Sequence, residues 1–171
     1  MNTVFTGEFT PDQEVVGIGE IAVATGPESI VTYALGSCIG VAVHDPLSGA
    51  GGLLHAALPS SELDPERARR EPGRFVDTGL RTLVERVRRI ADDGARLVVR
   101  AAGGASVSAA HAASDTFEIG RRNVSACREV LDRMGLSMRA GHLGGGISRT
   151  VRLTLPEGRM IVKADGEEHP L

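Results

Sequence analysis

The stretch Thr32-Tyr33-Ala34-Leu35-Gly36-Ser37-Cys38-Ile39-Gly40, followed by Gly51-Gly52-Leu53-Leu54-His55, decides how this chain is read. Residues 29–35 and 39–44 are short β-branched runs, and Gly36-Ser37-Cys38 breaks them apart, so the pattern predicts two strands joined by a tight turn. The cysteine sits on that turn. The next apolar run, 50–58, carries His55 and is stopped by Pro59. A thiol held at a turn, with an imidazole from a neighbouring strand, is the minimum equipment for nucleophilic attack on a carbonyl.

Working outward, residues 14–24 read as a strand with a bend, and Asp45-Pro46-Leu47-Ser48-Gly49 as a turn. Residues 60–73 are polar, with Pro65, Pro72 and a cluster at Arg67, Arg69 and Arg70, and read as a solvated loop. Between residues 74 and 93, Val76, Leu80, Leu83, Val84, Val87 and Ile90 recur at helical spacing, with Gly94 placed to end the helix. Residues 96–102 read as a buried strand ended by Gly103-Gly104. A second helix over 119–134 shows Val124, Cys127, Leu131 and Met134 on one side and stops at Gly135. Residues 136–143 read as a strand, and 151–155 with 159–163 as a hairpin around Pro156-Glu157-Gly158. Three early strands adjoin without helices, which excludes a doubly wound sheet. The expected fold is α/β: a mixed sheet or two packed sheets, with the two main helices on the outside. The expected organisation is a flexible segment 1–13, a single domain 14–164 and a C-terminal tail 165–171.

The bulk composition is that of a globular protein. Its 171 residues suffice for one domain with a real core; 42% are hydrophobic and only 3% aromatic, so aliphatic side chains must fill that core. A net charge of −3 offers no basis for binding nucleic acid or an anionic membrane. No apolar run approaches the ~20 residues of a membrane span. The first fourteen residues, carrying Glu8, Asp12 and Glu14, have neither the basic region nor the apolar core of a secretion signal. Two cysteines are too few for a disulfide framework, and the expected setting is a reducing cytoplasm.

The two cysteines are expected to differ. Cys127 lies on the apolar side of a helix and reads as core. Cys38 lies where backbone N–H groups of Gly36 and Ser37 can face a bound group, and where such a turn can lower a thiol pKa from about 8.5. His55 is the expected base. Its competitors are His44, expected exposed at a strand end, His111 in an Ala/Ser-rich loop, His142 before Gly144-Gly145-Gly146, and His169 in the tail. A Cys-His pair needs a third group to orient the imidazole. Thr32 is a candidate, through its hydroxyl or its carbonyl. No CxxC or HExxH occurs, so neither a metal nor another cofactor is expected, and the glycine clusters match no phosphate-binding pattern and read as tight turns.

These residues resemble the chemoreceptor glutamine deamidase family, CheD. The resemblance is carried by Leu35-Gly36-Ser37-Cys38, Asp45-Pro46, Gly51-Gly52 with His55, and Leu58-Pro59, then Gly103-Gly104-Ala105, Ile119-Gly120-Arg121-Arg122-Asn123 and Leu143-Gly144-Gly145, in order over residues 15–163. It implies an α/β fold of layered mixed β-sheets flanked by two main helices, similar to the deamidase domain of cytotoxic necrotizing factor. It implies Cys38 as nucleophile, His55 as base and Thr32 as the residue that positions His55, acting without a cofactor on glutamine side chains of chemoreceptor cytoplasmic helices. It further implies a CheC-type phosphatase as a partner. Two places depart from the family pattern: Val107 and Ser108 replace an apolar methionine-phenylalanine pair, and Gly146 and Ser148 replace an asparagine and a glycine in the late turn, with Arg149 retained. Two other readings share the same residues: another Cys-His amidohydrolase, which would cut or transfer rather than release ammonia, and a low-turnover binding protein that regulates a phosphatase or receptor.

Overall fold

The computed structural model describes residues 13–91, 95–106 and 115–171, with the backbone alone for 115–118. Val107, Ser108, His111 and Gly94 lie outside the described residues, as does all but the last residue of the 1–13 segment.

Among the described residues ten strands form two sheets: β1 (Gln13–Val15), β2 (Ile21–Ala24), β3 (Ser29–Leu35), β4 (Ile39–His44), β5 (Gly51–Ala56), β6 (Val98–Gly103), β7 (Met138–Leu143), β8 (Arg149–Thr154), β9 (Arg159–Ala164) and β10 (Glu167–Pro170). The first sheet has the order β1-β3-β8-β9-β10 and the second β2-β5-β4-β6-β7. Both are mixed, since β1–β3 and β6–β7 pair in parallel and every other neighbour is antiparallel. The helices are α1 (Pro65–Arg70), α2 (Val76–Ile90) and α3 (Asp115–Arg133). The parallel step from β6 to β7 needs a crossover, and α3 supplies it.

The pleat of the second sheet sorts its residues into two cores. Ile39, Val41, Val43, Leu54 and Ala56 face α2 and α3, where they meet Leu80, Leu83, Val84, Val87, Cys127 and Leu131. Ala42 and Leu53, on the opposite face, meet Ile30, Leu35, Val151, Leu153, Met160 and Val162 from the first sheet. The order of layers is therefore sheet, sheet, helices. Each such Leu or Ile removed from water contributes about 1.5–3 kcal/mol, so both interfaces are strongly driven. The expected layered mixed sheets are present, and both long helices pack on one side.

Several local expectations are corrected. Residues 60–73 are not an irregular loop: 3-10 turns at Ser61–Leu63 and Pro72–Arg74 flank α1. Asp64 caps α1 by accepting the Arg67 N–H at 3.0 Å, Pro65 opens it, and Arg67 and Glu71 pair at 3.2 Å. Residues 14–24 split between strands of different sheets. Ile90 ends α2 exposed rather than in the core. The 165–171 tail contains β10, hydrogen-bonded along β9. His44 is buried, and its Nε2 meets the Pro156 carbonyl at 2.7 Å. The Asp45-Pro46 turn forms as expected. There burial works against ionisation, but the Ser48 hydroxyl and the Ser48, Leu47 and Arg96 N–H groups hold the Asp45 carboxyl below its ordinary range.

Candidate active site

The Gly36-Ser37-Cys38 turn is the crossing point between the two sheets: β3 ends in the first and β4 begins in the second. A bulge in β3 sets up the crossing. Its register with β8 shifts between Thr32 and Leu35, and Ala34 sits at φ 56. The extra residue turns Tyr33 and Ala34 outward and lets both Thr32 and Leu35 point inward.

His55 projects from β5 toward the first sheet. Its partner in register is Gly40. A Cβ at Gly40 would lie 2.9 Å from Leu35 Cδ1 and 3.7 Å from Thr32 Cγ2, so the bare glycine leaves the space in which Thr32 reaches the imidazole. Cys38 precedes Gly40 by two residues, and its side chain packs against the same inter-sheet core. Cys38 directly precedes Ile39, whose register partner Ala56 directly follows His55, so the turn lies at the end of the ladder that carries the imidazole.

The hydrogen bonds determine the imidazole's tautomer. The Thr32 hydroxyl has one proton, which it donates to the Val16 carbonyl at 2.6 Å. Its contact with His55 Nδ1, at 2.8 Å, is therefore an acceptance, and Nδ1 carries a proton. The neutral ring then has a lone pair at Nε2, which is buried without a hydrogen-bond partner. Such an orphan acceptor is where a general base keeps its basicity. Burial lowers the His55 pKa to about 4, against the opposing pull of the Val16 carbonyl and Glu20, so the ring is neutral at pH 7.

The thiol departs from expectation. Burial pushes the Cys38 pKa up, and the Arg74 guanidinium and the residue's own N–H offset this only in part. The turn's N–H groups do not overcome desolvation, and the resting pair is a neutral thiol beside a neutral imidazole. Cys127 is buried in the helix-side core, as expected, with its pKa pushed up to about 12 by burial.

Every glycine cluster in the chain's second half bears on the turn. The Gly104 N–H donates to the Cys38 carbonyl and the Ala105 N–H to the Gly36 carbonyl, each at 2.8 Å. Asn123 Nδ2 donates to the Ser37 carbonyl at 2.8 Å. The Gly36 N–H, expected to face a bound group, instead donates to the Ala34 carbonyl at 2.9 Å, whereas the Ser37 and Cys38 N–H groups have no backbone acceptor among the described residues. The late turn is tied in as well: the Gly144 N–H donates to the Gly103 carbonyl at 2.9 Å and the Ser106 N–H to the Gly145 carbonyl at 2.8 Å. Sequence reading missed Asn123 and Arg74. Asn123 was detectable, because it stands at helical spacing from Cys127 and Leu131 and so interrupts an apolar stripe with an amide.

Of the competing histidines, His44, His142 and His169 are engaged elsewhere. His142 Nδ1 accepts from Arg149 Nε at 2.7 Å, and its ring stacks on His169 at 4.8 Å. Among the described residues no three His, Cys, Asp or Glu side chains gather as a metal site, and no helix is long and apolar enough to cross a membrane.

The fold and site define an α/β protein that presents a thiol and a threonine-anchored imidazole where two sheets meet. Residues 57–164 match the family model described as CheD chemotactic sensory transduction. The chain is 42% identical over 161 residues to a probable chemoreceptor glutamine deamidase CheD of Solibacter usitatus, covering 94% of each chain. It is 44% identical over 157 residues to a probable chemoreceptor glutamine deamidase CheD 2 of Anaeromyxobacter dehalogenans, covering 91% of this chain and 97% of the relative. A probable chemoreceptor glutamine deamidase CheD of Methanococcus maripaludis is 36% identical over 152 residues. This chain belongs to the CheD family.

Proposed function

We propose that this protein deamidates glutamine side chains of chemoreceptors, using Cys38 as nucleophile, His55 as general base and Thr32 to orient the base. The observation that carries the residue assignment is the Thr32–His55 hydrogen bond at 2.8 Å, with the Nε2 lone pair left free on the face that Cys38 shares. Family membership supports the reaction and the substrate.

The chemistry follows from the neutral resting pair. The Cys38 thiol passes its proton to His55 Nε2 as Sγ attacks the amide carbon. The Ser37 and Cys38 N–H groups receive the oxyanion; one such donor is worth about 2.7–4 kcal/mol of barrier. The imidazolium returns its proton to the departing nitrogen, and ammonia leaves. Water, deprotonated at His55, then hydrolyses the thioester to glutamate and restores the thiol. No cofactor enters these steps. The layered sheets support kinship with the deamidase domain of cytotoxic necrotizing factor. Residues 14–164, with β10 added along β9, act as a single domain in the cytoplasm, where the receptor helices lie, and a CheC-type phosphatase is a further partner.

Mass spectrometry of a receptor cytoplasmic fragment after incubation with the protein tests the reading. Glutamine-to-glutamate conversion without chain cleavage is expected from the wild type and from Cys127→Ala, and none from Cys38→Ala. Because the Thr32 hydroxyl makes the contact, Thr32→Ser retains most of the rate, whereas Thr32→Val loses about 100-fold. Turnover by Cys38→Ala, or unimpaired Thr32→Val, overturns the assignment.

A further inference from the structure

Asn123 is fully buried on α3, yet its two donors leave the helix for two different elements. Nδ2 donates to the Ser37 carbonyl at 2.8 Å and to the Ala57 carbonyl at 3.0 Å. Ser37 adjoins the nucleophile, and Ala57 lies two residues beyond the base. One side-chain amide thus joins the two segments whose separation sets the Cys38–His55 geometry. Its Oδ1 is buried with no partner. An apolar residue would fill the same space without an orphaned acceptor, so packing alone does not account for an amide here.

The approach of α3 is built for this reach. A Cβ at Gly120 would lie 2.6 Å from the Ala105 carbonyl oxygen and 2.8 Å from that of Gly104. With no side chain at Gly120, the helix backbone rests on the Gly103-Gly104-Ala105 turn. Asn123, one helical turn on and on the same face, is thereby carried to the Cys38 turn.

We propose that Asn123 is a positioning residue for the nucleophile: its amide clamps the Ser37 and Ala57 carbonyls and holds the Cys38 turn in register with the strand that bears His55. The inference rests on the Cys38–His55 chemistry proposed above. Asn123 touches no reacting atom. It acts through the backbone on either side of the site.

The full-length protein and its Asn123→Asp and Asn123→Ser variants are alkylated with iodoacetamide across a pH series, and mass spectrometry follows Cys38 and Cys127 separately. Asp keeps the shape of Asn and loses both donors; Ser keeps one donor on a shorter arm. Cys127, deep in the helix-side core, is labelled only if the fold opens. In Asn123→Asp, Cys127 is expected to stay protected, the pH midpoint of Cys38 alkylation to move, and kcat on the receptor fragment to fall about 100-fold at unchanged KM. Where the wild type converts glutamine, both changes are required. A protected Asn123→Asp with a wild-type midpoint or wild-type kcat overturns the proposal. If Asn123→Asp exposes Cys127, Asn123→Ser decides. The same two changes with Cys127 protected support the proposal, whereas wild-type behaviour overturns it. Exposure of Cys127 in both variants also overturns it, since Asn123 would then serve the fold. Should the wild type convert no glutamine while the Cys38 midpoint still moves in the variants, the deamidase reading fails and the positioning role stands.

Discussion

The Thr32 hydroxyl does two things with a single proton. By donating to the Val16 carbonyl it can only accept from His55, so the ring keeps its proton on Nδ1 and its lone pair on Nε2. Burial then holds that ring neutral down to a pKa of about 4, below the ordinary 6.5. Two pH effects follow. The acid limb of kcat/KM is expected near pH 4 and not near 6.5, which a rate profile on the receptor fragment measures. Stability responds as well. Between 6.5 and about 4 the unfolded chain binds a proton at His55 that the folded chain excludes, so this group's contribution falls as pH drops through that window. That interval of about 2.5 in pH corresponds to about 3 kcal/mol. Urea unfolding at several pH values from 7 to 4 should show the slope in the wild type and a shallower one in His55→Gln.

Elements place these side chains through a few local devices. The β3 bulge, with Ala34 at positive φ, is the reason Thr32 and Leu35 both face inward although three positions separate them. A regular strand would send one of them to solvent. The α3 contact depends on Gly120, because the atoms a Cβ would meet are backbone oxygens that cannot rotate away. Gly120→Ala is therefore expected to lift the helix from the turn, lowering stability by about 1–3 kcal/mol. The deamidation rate should fall further than thermal unfolding alone explains at a temperature where the variant is fully folded. Measuring both on one preparation separates the two effects. Strand positions were readable because β-branched runs and glycine breaks bound them, and β3 and β4 have the limits the pattern predicts. The bulge was not readable, since its cause is pairing with β8, more than a hundred residues away.

Across the whole molecule, Arg149 fastens one sheet to the other. It is buried on β8 of the first sheet, with Nε bonded to His142 on β7 of the second at 2.7 Å, NH1 to the Ile147 carbonyl at 2.9 Å and NH2 to the Gly144 carbonyl at 2.6 Å. It pairs with Leu35 in register, directly before the Cys38 turn. Arg149→Met removes all of these donors and leaves their acceptors unsatisfied. The expected loss is about 3 kcal/mol, seen as a melting temperature lower by about 6–12 °C. Arg149→Lys, with a single donor group, should fall between the two. An unchanged melting temperature in Arg149→Met would show that the sheets hold together without this link.

Local patterning was enough for strands β3 to β9 and the two long helices, the absence of a doubly wound sheet and the distinction between Cys38 and Cys127. These follow from period, β-branching and turn residues, which act over a few positions. The same patterning missed α1, β10 and the division of residues 14–24 between two strands. The hydroxyl of Thr32 as the contact to His55, the upward push of burial on the Cys38 thiol and the two contacts of Asn123 come from the packed structure. Each depends on burial or on an atom from a distant segment: Val16 for Thr32, the inter-sheet core for Cys38, and Ser37 and Ala57 for Asn123. Nor does spacing say that the Gly36-Ser37-Cys38 turn passes from one sheet to the other. A turn between two strands looks the same in sequence whether its strands pair with each other or with different partners, and the choice is made by which faces bury together.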